Sequence, residues 1–105
     1  MTIVAYLIEP RFPGGTTSAV CEELKEVAKN TRHIKVFFYD SKMFTGREIS
    51  AKITQVLEEL GIVPEWCPAQ ISADFVIIHN PSFLKFEERV RFKIISKKIY
   101  VVTHE

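Results

Sequence analysis

The chain has 105 residues, 47% of them apolar, which suits one domain with a modest core and is too apolar for a disordered chain. Its 14 Lys plus Arg stand against 13 Asp plus Glu, a formal net charge of +1, so the summed field excludes strong general attraction to nucleic acid. No apolar run approaches the ~18 residues that cross a bilayer, and no basic segment precedes an apolar secretory core, so the expected location is the cytoplasm without a transmembrane segment.

Residues 2–8, TIVAYLI, are short, nearly all apolar and β-prone, the pattern of a strand covered on both faces in a parallel sheet. Glu9-Pro10 ends the run, and Pro13-Gly14-Gly15-Thr16-Thr17 completes a loop. A helix is predicted from Thr17 or Ser18, either of which can cap it, to Asn30. Val20, Leu24, Val27 and Ala28 form its core-facing stripe, while Glu22, Glu23, Lys25, Glu26 and Lys29 are expected to point elsewhere.

Ile34 to Tyr39 form the next strand. After a polar loop with Lys42, Met43 and Phe44, Thr45 and Glu48 have the spacing of a capping box, so a second helix is predicted to start there. Ile49, Ile53, Val56, Leu57 and Leu60 supply its buried face, and Gly61 its stop. Residues 62–66, interrupted by Pro64, read as an edge strand or an extended connector. Asp74 to His79 is another apolar strand. Phe83, Phe86, Val90 and Ile94 suggest a helix within residues 83–96, and Ile99 to Thr103 is the last strand. The predicted fold is α/β, a Rossmann-like three-layer sandwich with a mainly parallel sheet of four or five strands.

In such a sheet, ligands settle beyond the carboxyl ends of the strands, where strand order changes direction. Residues 10–17, 40–46, 79–82 and 103–105 are all expected at that edge. The first of them sets Gly14, Gly15 and Thr16 before a helix, so backbone N–H groups can face an anion. A simple turn with close backbone packing is the alternative. The spacing matches neither the dinucleotide fingerprint nor a phosphate-binding loop with its lysine.

His79 and His104 end strands that can be neighbours, and either can bind a hydroxyl or move a proton near neutral pH. Neither has a third ligand at fixed spacing, so no metal is expected. His33 falls on the opposite edge and reads as structural, as does Asp74, expected at the start of its strand and capping a turn. Arg11 and Lys42 are loop cations that can clamp phosphate. Phe12, Phe44 and Phe83 can cover a ligand or face another domain. Cys21 reads as a small buried hydrophobe, and Cys67 has no evident activating partner. Arg89, Arg91, Lys93, Lys97 and Lys98 form the one basic stretch, a solvated face with the inner membrane surface or a phosphate-bearing partner as the alternative.

Three segments, YLIEPRFPGGTTSAV at 6–20, ADFVIIHNPSFLKF at 73–86 and YVVTHE at 100–105, resemble the N-terminal domain of two-domain glycosyltransferases of the GT-B architecture, especially group 1, or family 4. The resemblance implies an acceptor-side domain facing a second Rossmann-like domain that holds most of a nucleotide-sugar donor. It implies that Gly14, Gly15 and Thr16 lie near the donor phosphates, that His104 lies near the donor sugar, and that His79 belongs to the same crevice. The implied reaction moves a sugar from a nucleotide-sugar to a hydroxyl acceptor without a bound metal or other cofactor. The donor-binding half lies outside these residues, so an excised N-terminal domain, inactive alone, is expected. The rival expectation is a non-enzymatic nucleotide-binding or protein-interaction module.

Overall fold

A computed structural model of the chain describes residues 2–8, 15–39, 48–66, 69–79 and 93–102, with the backbone alone for residues 15–17 and 102. In chain order the elements are β1 (Val4–Ile8), α1 (Gly15–Asn30), β2 (Ile34–Phe38), α2 (Ala51–Leu60), β3 (Glu65–Trp66), β4 (Gln70–His79) and β5 (Lys93–Val102). The sheet order is β3-β2-β1-β4-β5, and every described strand pair is parallel.

β1 is central and buried at all five positions, as its unbroken apolar run requires. Val4, Tyr6 and Ile8 turn to one face with Val36 and Phe38, where Val20, Cys21 and Leu24 of α1 and Ile53, Val56 and Leu57 of α2 complete the core. Lys52 Nζ also donates to Ser18 Oγ at 2.9 Å, linking the two helices. Ala5, Leu7, Phe37, Ile71, Val76 and Ile78 turn to the opposite face and are buried too. The sheet is therefore the middle layer of a Rossmann-like three-layer α/β sandwich.

Several boundaries differ from the predicted ones. α2 begins at Ala51, and Glu48 to Ser50 are not helical. Ser50 instead accepts the N–H of Thr54 at 3.2 Å, the first helical bond, and Ile49, predicted in the buried stripe, is exposed. The helix ends as predicted: Gly61 has φ +70°, its N–H donates to the Glu58 carbonyl and that of Ile62 to the Leu57 carbonyl, a Schellman closure.

The predicted helix within 83–96 is corrected at its end. Lys93 to Ser96 are strand, and Ile94 pairs with Ile71 and packs against the second core face. KIISKKIYVV mixes apolar and β-branched residues with three lysines, and pairing with β4 at nine positions outweighs the weak helical spacing of Ile94. β4 likewise starts at Gln70, so Asp74 lies inside the strand. Of the 62–66 segment only Glu65 and Trp66 form a strand, at the sheet edge: they pair with Phe37 and Phe38, and the Trp66 ring meets that of Phe38 edge-on, centroids 5.3 Å apart.

Candidate functional site

The chain crosses the sheet in one direction from β1 through β2 to β3, then returns to place β4 on the other side of β1 and β5 beyond it. β1 and β4 thus flank the switch point, where the two directions of winding diverge and a crevice opens beyond the strand ends. Leu7 pairs with Ile78, so Ile8 and His79 finish side by side at that edge. β5 ends level with them, Val102 opposite His79.

The predicted site residues distribute around this edge as follows. Gly15 and Thr16 begin the first turn of α1, the helix that follows β1. His79 is the last residue of β4. Gly14 and His104 lie outside the described residues, as do Arg11, Phe12, Lys42, Phe44, Cys67, Phe83, Arg89, Arg91 and Glu105. His33 is exposed before β2 on the opposite edge, its backbone tied to Thr31 and Val4. Asp74 lies inside β4, level with the entry to β1, and rather than capping a turn it accepts the N–H of Ile3.

His79 is only 1% exposed. Its side chain falls on the helix face of the sheet, and its ring stacks on that of Tyr6, centroids 5.9 Å apart and 10° from parallel. Nε2 lies 2.9 Å from Oε2 of Glu23 on α1. The contact is short but off the ring N–H axis, so it acts as a polar or charge contact more than a linear hydrogen bond. The other carboxylate oxygen of Glu23 accepts the Tyr6 hydroxyl at 3.0 Å. One carboxylate therefore joins α1 to both strands of the switch point.

Burial, with the adjacent Glu23 charge and hydrogen bond adding to it, pushes the Tyr6 phenol above the ordinary tyrosine range. Tyr6 therefore stays protonated and donates. Glu23 retains about a third of its side-chain exposure, which keeps an ionised carboxylate affordable beside the core.

Sequence reasoning assigned Glu23 to the outer face with Glu22 and Lys25. The signal that points inward is its position three residues after Val20 and four before Val27, within the stripe itself. A tyrosine in an otherwise apolar central strand is the second signal, because a buried phenol needs a partner.

Cys21 is buried in the core. Burial pushes its thiol up, and nearby Lys52 and Lys25 offset this only in part, so it is a packing residue and not an activated nucleophile. Among the described residues, no three His, Cys, Asp or Glu side chains group to hold a metal ion, and no helix is long and apolar enough to cross a membrane. Comparison of the chain with protein-family models, curated proteins and solved structures finds no match.

Proposed function

We propose that this chain is the acceptor-side, N-terminal domain of a GT-B glycosyltransferase, which moves a sugar from a nucleotide-sugar donor to a hydroxyl acceptor together with a second Rossmann-like domain. The supporting observation is the switch point itself: β1 and β4 run side by side and parallel, with the start of α1 and the end of β4 on the same edge. A sheet of this kind suits a nucleotide or sugar ligand at that place.

In this reading, backbone N–H groups from Gly14 to Thr16 meet the donor diphosphate and stabilise it as it departs. His104 follows β5 by two residues and orients hydroxyls of the donor sugar. His79, being buried, acts from beneath the crevice and not as a group in contact with substrate. The second domain supplies the remaining donor contacts and closes over them, so the 105-residue chain alone transfers no sugar. The reading places the protein in the cytoplasm, working without metal or cofactor.

The test is sugar transfer by the full-length parent with a panel of nucleotide-sugars and acceptors, alongside His104→Ala. Donor turnover falling by roughly 10-fold or more with an unchanged fold supports the assignment. Unchanged turnover removes His104 from the site, and no transfer with any donor rejects the reading.

One observation favours the rival reading of a protein-interaction module. Ile95, Ile99, Tyr100 and Val101 are each about half exposed on β5, the outermost described strand on its side of the sheet. A long apolar edge of this kind accepts a further strand.

A further inference from the structure

Ile99, Tyr100 and Val101 are consecutive on β5, and each is about half exposed. Ile99 and Val101 pair with Val76 and Ile78, which pack into the second core face, while Tyr100 pairs with Ile77 on the helix face. An uncovered sheet face exposes alternate residues. Equal exposure of successive ones means that the open surface is the flank of the strand. Among the described residues no strand lies outside β5, and such a flank suits an extended chain better than a helix.

The lysines of β5 choose among extended chains. Lys93, Lys97 and Lys98 fall in its first part, and Ile99 to Val102 form an uncharged, β-prone run after them. Two copies of one edge close on each other about a twofold axis perpendicular to the sheet, which makes the pairing antiparallel and sets like faces together. Registers centred on Lys97 or Lys98 put a lysine directly against its own copy, which is unfavourable. The register centred on Tyr100 sets Tyr100 against Tyr100 and, on either side, Ile99 against Val101. Lys98 then faces Val102, and no lysine of β5 faces another.

We propose that β5 pairs antiparallel with β5 of a second copy of this chain, in the register centred on Tyr100, so that the two sheets become one. The proposal names the partner for the interaction reading given above and rests on that reading.

The experiment combines sedimentation of the 105-residue chain over a range of concentrations with cysteine cross-linking. The wild type is expected to show a monomer–dimer equilibrium without larger species, because the twofold pairing uses up the edge. Directly opposed residues of an antiparallel pair have Cα atoms about 4.5–5.5 Å apart, within the span of a disulfide. In a Cys67→Ser background, Tyr100→Cys is therefore expected to give a covalent dimer on mild oxidation. Ile95→Cys, similarly exposed on the same strand but outside the overlap, is expected to give none. Tyr100→Lys, which sets lysine against lysine, is expected to raise the dimer Kd roughly 10-fold or more, and Ile95→Lys to leave it within about 2-fold. Growth beyond the dimer overturns the proposal, and so does cross-linking through Ile95→Cys as readily as through Tyr100→Cys. A wild type that is monomeric at every concentration also overturns it, while the interaction reading then requires a strand of other sequence. Association that Ile99→Lys leaves unchanged rejects the interaction reading of this edge together with the proposal.

Discussion

Asp74 Oδ2 accepts the backbone N–H of Ile3 at 2.7 Å across 71 positions of sequence, while its Oδ1 meets Lys97 Nζ at 3.2 Å. One carboxylate on β4 thus ties the entry to β1 and the middle of β5. The Ile3 N–H, followed by Lys97, holds the carboxyl below its ordinary range. A lowered pKa means that the ionised form binds the fold better than the unfolded chain does. The stabilisation is complete above the unfolded value of about 3.9 and is lost as pH falls through the lower, folded value. Asp74→Asn is therefore expected to melt below wild type near neutral pH, with the gap closing on acidification below about pH 4. A gap independent of pH in thermal melts contradicts this assignment.

Tyr6→Phe removes the hydroxyl from Glu23 and is expected to cost about 1 kcal/mol in urea unfolding at neutral pH, the usual net worth of such a bond. The phenol is raised above its ordinary value, so its contribution is complete below about pH 10 and is lost as pH rises towards the folded value. The wild type should lose stability in that alkaline range more steeply than Tyr6→Phe. Equal slopes would mean that the phenol is not held in its protonated form.

Gly61 closes α2 at φ +70° with nothing within 4 Å of where a Cβ would stand. The cost of a side chain there is backbone strain without a clash. Gly61→Ala is expected to destabilise the domain by about 1 kcal/mol, and Gly61→Asn by less, since asparagine tolerates the left-handed region. Equal stability of Ala and Gly at this position in urea unfolding would show that the helix end reshapes freely.

Ile99 and Val101 are about half exposed on β5. Apolar edges of this length template pairing with other chains, and a charge on them blocks it. Ile99→Lys is expected to reduce concentration-dependent association in sedimentation while shifting stability by less than about 1 kcal/mol. Unchanged association with an intact fold would place the contact elsewhere.

The elements whose residues agree at every level were legible in the sequence. β1 is apolar throughout because both its faces are covered, and α2 carries Ile53, Val56 and Leu57 at helical spacing before a glycine that its end needs. What misled is local pattern without local context. Thr45 and Glu48 have a capping spacing, yet the helix starts at Ala51. Ile94 fits a helical stripe, yet it is held by pairing to Ile71 across the sheet, a contact between distant residues.

The same division runs through the site. The shared edge of β1 and β4 follows from alternating strands and helices. Glu23, by contrast, was hidden among solvent-facing charges, because its role depends on Tyr6 and His79 arriving from two other elements.

The central claim is that ligand engages the strand ends at the β1–β4 switch point. Its most direct measurement is amide-shift mapping of the nitrogen-15-labelled chain during titration with nucleoside diphosphate-sugars at high concentration, where weak binding in fast exchange remains readable. The account expects shifts concentrated at Gly15, Thr16 and His79 and in the residues that follow Val102. Shifts concentrated instead around Thr31, Arg32, His33 and Gln70, at the opposite ends of the strands, would contradict it.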